Sequence, residues 1–251
     1  MNKPISNSID WLTPDWPVAN NVRAGTTLRC KGESTGAYAS LNLATHVGDS
    51  QQTVLKNRQR LSLPYEPVWL EQTHSKIVID VADYQSGHQG QKPVADASFS
   101  TKQHQPCVVM TADCLPLLVT DRQATCVAAV HAGWKGLADG IIENAINALP
   151  VENSDLLVWL GPAIGPQAYE VGDDVLQAFV GYDPQAQDAF RKSDEEHWLM
   201  DIYQLARQRL AQLGVEQVYG GEYCTYSDEQ RFYSYRRDNI TGRMASIIWL
   251  E

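Results

Sequence analysis

Three short apolar runs follow one another closely between residues 107 and 130, and they limit the folds open to this chain. The runs read CVVMT (107–111), LPLLVT (115–120) and TCVAAV (125–130), and the gaps between them hold only three or four residues. Such runs are typical of strands joined by hairpins. We therefore expect 107–111 to pair with 115–120, and 115–120 to pair with 125–130.

Other strand-like runs and several helical patterns are interspersed along the chain. Strand-like runs also lie at 67–70, 76–81, 156–160, 215–220, 232–235 and 245–250. Apolar spacing and end signals predict helices at 53–61, 136–149, 172–180 and 201–214. Because strands and helices do not alternate strictly, the order favours an α+β (mixed α/β) fold with mixed, largely antiparallel sheets and helices outside. It argues against a doubly wound parallel sheet.

The net charge limits the binding partners that this protein can have, and its cysteines indicate the cellular compartment. The 251 residues carry a formal net charge of −10, and the only notable cluster of basic residues is YRRD at 235–238. This balance argues against nucleic acid and membrane as partners, whereas a local positive site could still hold an anionic small molecule. The five cysteines are odd in number and contain no CxxC pair, which fits a reducing compartment. We expect a cytoplasmic protein, since neither a signal peptide nor a membrane span is recognisable.

Three side chains that can bind metals stand where apolar runs break. Cys114 and Asp113 follow the run at 107–111, His131 follows the run at 125–130, and His74 lies in VWLEQTHSKIVI. Two imidazoles and one thiolate suit zinc, and three protein ligands leave a position open, as in catalytic sites. Asp113 is placed to orient a neighbouring group. Spacing alone leaves open the alternative of an inert core cysteine and ordinary polar histidines.

Six ordered motifs give the chain a resemblance to a known family. They are SLNLATHVGD, VWLEQTH, MTADCLPLL, AAVHAGWKGLADGI, WLGPAIGPQAYEVG and FYSYRRDNITGRMA. Together they resemble the YfiH-type family, also called laccase-domain or polyphenol oxidase proteins. The resemblance implies a four-layer α/β/β/α arrangement in one catalytic domain over residues 1–251, with residues 1–22 as an N-terminal arm. It also implies a zinc site made of His74, Cys114 and His131.

The chain departs from the family pattern in two places. Many relatives have cysteines in the motif that here contains Ala163, Gln167 and Ala168, so those cysteines cannot be essential in this chain. The stretch RAGTTLRCKGESTG (23–36) matches the family poorly. The second departure affects the part of the pocket in which substrate selection is expected.

The resemblance implies purine nucleoside chemistry. Members of the family phosphorolyse adenosine, inosine, guanosine and methylthioadenosine, and they deaminate adenosine. Zinc chemistry is compatible with deamination, and phosphorolysis needs an anion site as well. Candidates for that site are Lys135 with the start of the 136–149 helix, Arg236 with Arg237, and Asn42 in the first motif.

Other readings of the same residues remain open. Cys114 could be a metal-free nucleophile with His131 as its base, and a zinc- or cysteine-dependent amidase that edits peptidoglycan precursors would need the same residues. A copper polyphenol oxidase ranks lower because the chain has only six histidines, although copper can replace zinc at such a site. A non-enzymatic zinc module would need a fourth ligand, from Cys30, Cys224 or His46. The general acid is unassigned among Asp113, Glu71 and Glu170.

Overall fold

A computed structural model describes residues 8–87 and 92–251, and two packed sheets form the centre of the protein. The smaller sheet has four antiparallel strands. In spatial order they are β1 (Trp11–Leu12), β2 (Val22–Thr27), β13 (Met244–Leu250) and β5 (Cys107–Thr111). The strand β13 therefore lies between β2, from the N-terminal part of the chain, and β5, from its middle.

The larger sheet has six strands and is mixed. In spatial order they are β12 (Gln217–Gly220), β8 (Leu156–Leu160), β6 (Leu115–Asp121), β7 (Val127–Ala132), β4 (Ala97–Ser100) and β3 (Val78–Asp80). The outer strands β12 and β3 pair in parallel with their neighbours, and the inner pairs are antiparallel. A three-stranded antiparallel sheet lies apart from both, formed by β10 (Phe190–Lys192), β11 (His197–Met200) and β9 (Glu170–Gly172).

Helices complete the outer layers. In chain order they are α1 (Gln51–Gln59), α2 (Val81–Gly87), α3 (Trp134–Asp139), α4 (Ile141–Asn147), α5 (Asp173–Val180), α6 (Ile202–Gln212) and α7 (Tyr235–Asp238). Helices α3 to α6 bury their apolar side chains against one face of the six-stranded sheet. Within the described residues, no helix has the length and apolar character needed to cross a bilayer.

Burial on both faces explains why the central strands are continuously apolar. In β6, Leu117 and Val119 face the helices, whereas Leu118 faces the other sheet. In β13, Ile247 packs with the outer cluster that contains Leu41 and Leu43, and Ile248 packs between the sheets. Successive side chains of a strand point to opposite faces, so a strand between two packed layers needs apolar residues at both. The predicted four-layer α+β arrangement is confirmed.

Part of the predicted strand pairing is wrong. Strands β6 and β7 form the expected hairpin, but β5 pairs with β13 and lies in the other sheet. Residues 112–114 therefore cross from one sheet to the other instead of forming a hairpin turn. Both runs need cover on two faces, and stacking them in different layers buries each face.

Three other segments differ from the sequence prediction. The predicted helix 136–149 is two helices, because Gly140 adopts φ 98° and ends the first of them. The run 232–235 is not a strand: Phe232 and Tyr233 pack beside β13, and α7 begins at Tyr235. The run 67–70 contains buried residues but forms no strand. In the last two segments burial is achieved outside a sheet ladder, which an apolar pattern does not distinguish.

Candidate metal centre and cavity

Strand ends from both sheets converge on one side of the molecule. Cys114 stands immediately before β6, and Pro116 of β6 pairs with His131 near the end of β7. In the other sheet, Thr111 at the end of β5 pairs with Met244 at the start of β13. This arrangement brings the loop that crosses between the sheets next to the end of β7.

The side chains of His74, Cys114 and His131 form one cluster at this end. Their ligand atoms all lie within 4.8 Å of one another. The Cys114 sulfur lies 3.5 Å from Nε2 of His74, and the two imidazole rings meet edge to face with centroids 4.9 Å apart. His74 is exposed, Cys114 is half-buried and His131 is buried, so the cluster opens towards solvent on one side.

Asp96 holds two of these residues from behind. Its Oδ1 accepts hydrogen bonds from Nδ1 of His131 at 2.7 Å and from the backbone N–H of His74 at 3.0 Å. Its Oδ2 accepts from the backbone N–H groups of Thr73 and Ser75 and from the Ser75 hydroxyl. Because Asp96 occupies Nδ1 of His131, the nitrogen left for a metal is Nε2. The backbone contacts hold His74 at φ 61°, an uncommon conformation for histidine.

The charges within the cluster favour a thiolate. Burial alone would raise the pKa of the Cys114 thiol, but His131 and His74 outweigh burial and lower this pKa to about 6. Burial alone would lower the pKa of His131, but the Cys114 thiolate and Asp96 outweigh burial and raise it to about 9. Burial of Asp96 is likewise outweighed by the hydrogen bonds from His131 and Ser75, which bring its pKa to about 2. The thiolate is the form of cysteine that binds metals.

The absence of a side chain at Gly133 makes room for the cluster. A Cβ atom at this position would lie 2.3 Å from Cδ2 of His74 and 3.1 Å from the Cys114 sulfur. Gly133 has φ −65°, so the close approach, not the backbone conformation, requires glycine here. Two imidazoles, a thiolate and a cleared space between them fit a zinc ion.

Asp113 has a different role from the one expected beside a metal ligand. Its Oδ1 accepts from the Thr225 hydroxyl at 2.6 Å, and its Oδ2 accepts from the backbone N–H of Arg236 at 2.7 Å. Its backbone adopts φ 96°. Asp113 therefore fastens the crossing loop, and with it Cys114, to the C-terminal part of the chain. The carboxylate that orients a ligand is that of Asp96.

The cluster lies in the wall of a cavity of about 510 Å³, a volume typical of small-molecule sites. Aromatic side chains of Trp134 and Tyr235 line it together with the cluster. The remaining lining residues are His46, Gln72, Met110, Thr111, Ala112 and Arg243. None of these lining residues carries a carboxylate, although the protein as a whole has a net charge of −10.

The four residues expected to bind substrate or phosphate lie elsewhere, and Arg237 is paired with Asp238 outside the cavity. Lys135 is exposed with its amine 5.5 Å from the Trp134 ring, and Arg236 donates to the carbonyl of Glu170; neither lines the cavity. Asn42 is fully buried, and its Oδ1 accepts the backbone N–H of Arg243. It supports the cavity wall from behind instead of facing a ligand. In α3, which has only six residues, Lys135 also lacks the long helix that was expected behind it.

Of the other candidate ligands and acids, His46 lines the cavity but does not belong to the cluster, and Cys30, Cys224, Glu71 and Glu170 lie outside the cavity. Among residues 8–87 and 92–251, no fourth cysteine, histidine or carboxylate joins the group of three. Cys30 contacts Asp10, and Cys224 contacts Gly165 and Ser227. Neither Glu71 nor Glu170 lines the cavity. A three-ligand group with an open side matches the arrangement of catalytic zinc sites better than that of structural ones.

Sequence reasoning missed three residues of the site: Asp96, Gly133 and Arg243. Asp96 lies in a short segment, VADASFS, whose aspartate looks like an ordinary turn residue. Gly133 follows His131 by two residues, and this proximity was a usable signal. Arg243 lies within the last resemblance motif and follows Gly242, but nothing in the local pattern places it beside Cys114.

Comparison with known proteins agrees with the fold and the site. A family model described as multi-copper polyphenol oxidoreductase laccase matches residues 23–251. The chain is 49% identical over 243 residues to a protein of Shigella flexneri named purine nucleoside phosphorylase YfiH, which covers 95% of this chain and 98% of that protein. Over 244 residues it is also 49% identical to purine nucleoside phosphorylase PA4543 of Pseudomonas aeruginosa, covering 96% and 98% of the two chains.

A solved structure supports the same assignment. The crystal structure of Neisseria meningitidis protein NMB0706 superposes with a TM-score of 0.91 at 47% identity, covering 96% of this chain and 99% of that one. The fold and the site thus define a mixed α/β protein with a His/Cys/His group in the wall of a cavity. The chain belongs to the multi-copper polyphenol oxidoreductase laccase family, and it is similar to proteins named YfiH.

Proposed function

We propose that the protein is a zinc-dependent purine nucleoside phosphorylase that also deaminates adenosine and accepts methylthioadenosine. The observation that carries the proposal is one cavity of about 510 Å³ that contains both the His74, Cys114 and His131 group and two aromatic side chains. The names of the relatives support the substrate class.

The chain's own residues have distinct tasks in this proposal. His74, Cys114 and His131 would hold the zinc ion, which supplies Lewis acidity near neutral pH. Trp134 and Tyr235 offer ring faces on which a purine can stack. In phosphorolysis the bond between the base and C1′ of the ribose breaks, and a phosphate oxygen forms a new bond to C1′. In deamination, water replaces the amino group and ammonia is released.

The deciding experiment assays zinc-loaded protein with adenosine in the presence and absence of inorganic phosphate. Chromatography separates adenine with ribose 1-phosphate, which report phosphorolysis, from inosine, which reports deamination. We expect Cys114→Ala to lose zinc and both activities, and Cys107→Ala to keep them because Cys107 is fully buried between the sheets. Full turnover by zinc-free Cys114→Ala protein would refute the proposal.

A second candidate rests on the thiol itself. The Cys114 sulfur lies 3.5 Å from His74 Nε2 and its pKa is lowered to about 6, which are properties of a nucleophilic cysteine. This reading predicts activity that survives a chelator and is blocked by alkylation of Cys114. Amide substrates related to peptidoglycan precursors would then be tested. Metal analysis of protein purified without added metal distinguishes zinc from copper in the same preparation.

A further inference from the structure

Arg243 presents an unpaired positive charge to the cavity that contains the cluster. Its backbone N–H is held by Asn42, and its Nη1 donates to the carbonyls of Thr241 and Gly242. Within the described part of the chain, no carboxylate lies within 4.0 Å of its guanidinium, and Nε and Nη2 have no hydrogen-bond acceptor. An arginine whose fork is anchored on one side and free on the other is ready to bind an anion.

Two other cations, outside the cavity lining, act on a lining residue. The pKa of His46, which also lines the cavity, is lowered by burial and then by the positive charges of Arg243, Lys92 and Arg58. Arg58 is stacked on Trp69 at 3.6 Å and has a buried Nη2 without a partner among the described residues. Arg243 therefore brings positive charge to a cavity lined by no carboxylate, on a protein whose net charge is −10.

A further polar group faces the same space without a partner. Thr111 lines the cavity and is 1% exposed, and its hydroxyl has no hydrogen-bond partner in the described structure. Thr111 is paired with Met244, the residue after Arg243, so Thr111 and Arg243 occupy neighbouring positions. Buried hydroxyls are normally hydrogen-bonded, so the unpaired hydroxyl of Thr111 is an exception beside the cavity.

We propose that Arg243 and His46 form the subsite for inorganic phosphate. The guanidinium fork binds two phosphate oxygens, and the uncharged imidazole of His46 donates one further hydrogen bond. This inference rests on the proposed phosphorylase function. It assigns the second substrate, inorganic phosphate, to the part of the cavity lined by Arg243, the residue immediately before β13. It replaces Lys135 and Arg236 as the expected phosphate ligands.

The first test measures the KM values for phosphate and adenosine independently in Arg243→Met. We expect the KM for phosphate to rise about 10-fold to 100-fold, because charge-assisted hydrogen bonds are lost, and the KM for adenosine to change by less than about threefold. Arg236→Met is the matched control, since this arginine is exposed outside the cavity, and it should leave both values unchanged. An unchanged KM for phosphate in Arg243→Met would overturn the assignment.

A second variant tests the same assignment without the risk of unfolding. Arg243 also holds the carbonyls of residues 241 and 242, so His46→Phe serves as a second variant if Arg243→Met does not fold, because it keeps an aromatic ring at an exposed position and removes the N–H donor. It should raise the KM for phosphate about 2-fold to 10-fold, and no rise in this variant would overturn the assignment.

Calorimetric titration of the wild type with inorganic phosphate separates the subsite from the proposed function. Wild-type protein that binds phosphate but releases no purine base would retain the subsite and refute the phosphorylase function. If the wild type phosphorolyses adenosine and Arg243→Met binds phosphate as tightly as the wild type, the phosphorylase function stands and the subsite is refuted.

Discussion

Replacing Asp96 by asparagine tests how the cluster is held. The carboxylate is fully buried and accepts five hydrogen bonds, from three backbone N–H groups, the Ser75 hydroxyl and Nδ1 of His131. Asparagine has almost the same shape, but only one of its two terminal atoms can accept. An NH₂ group must therefore replace either Oδ1 or Oδ2, and it then faces groups that are themselves donors.

The two orientations of the amide have different costs. If NH₂ replaces Oδ2, the N–H groups of Thr73 and Ser75 lose their acceptor, which costs about 0.5–1.5 kcal/mol for each of these part-buried hydrogen bonds. If NH₂ replaces Oδ1, it donates to Nδ1 of His131 and moves the ring proton to Nε2, the nitrogen that faces the cluster. A protonated Nε2 cannot bind metal, so we expect zinc affinity to fall about 10-fold to 100-fold.

The assay combines zinc competition against a chromogenic chelator with urea unfolding of the zinc-free protein. Asp121→Asn is the matched control: Asp121 is 3% exposed and also accepts several N–H and O–H groups, but it lies at the far end of β6 from Cys114. Both variants should be less stable, and only Asp96→Asn should lose zinc affinity. Zinc binding within about twofold of wild type in a folded Asp96→Asn protein would refute this reasoning.

Two further substitutions examine the space around the cluster and the core. Gly133→Ala should displace His74 and weaken zinc binding with little change in the free energy of unfolding, because its Cβ would lie 2.3 Å from the ring while φ −65° suits alanine. Gly214→Ala is the control: φ 78° disfavours alanine and no atom lies within 4 Å, so this variant should lose stability and keep its zinc affinity. Equal zinc binding in both proteins would contradict the crowding argument. Cys107→Ala should lower the free energy of unfolding by about 1 kcal/mol and leave kcat unchanged; a large fall in kcat would show that Cys107 is more than a core residue.

The parts of this protein that the sequence predicts are those with local signals. The β6–β7 hairpin follows from two apolar runs with a short gap, and its register places Cys114 beside His131 as expected. The predicted partner of β5 was wrong: its neighbour is β13, which is more than 130 residues away, and no local pattern encodes that pairing. The same limitation applies to Arg243, which reaches the cavity only through β13.

Asp96 and Asp113 illustrate a second limit of sequence reasoning. Both are aspartates beside apolar runs, and both are buried and accept backbone N–H groups. Only the fold decides that one holds His131 and the other holds the segment around Arg236. Proximity along the chain favoured Asp113, whereas the strand pairing of β4 with β7 favours Asp96.

The position of β13 between β2 and β5 has a consequence for synthesis of the protein on the ribosome. The six-stranded sheet has all its strands once residue 220 has emerged, but β2 and β5 have no strand between them until residues 244–250 follow. During that interval the nascent chain exposes apolar strand surface, which is the kind of surface that chaperones bind. Arg243 emerges immediately before β13, so the cavity wall is completed in the same late step that closes the smaller sheet.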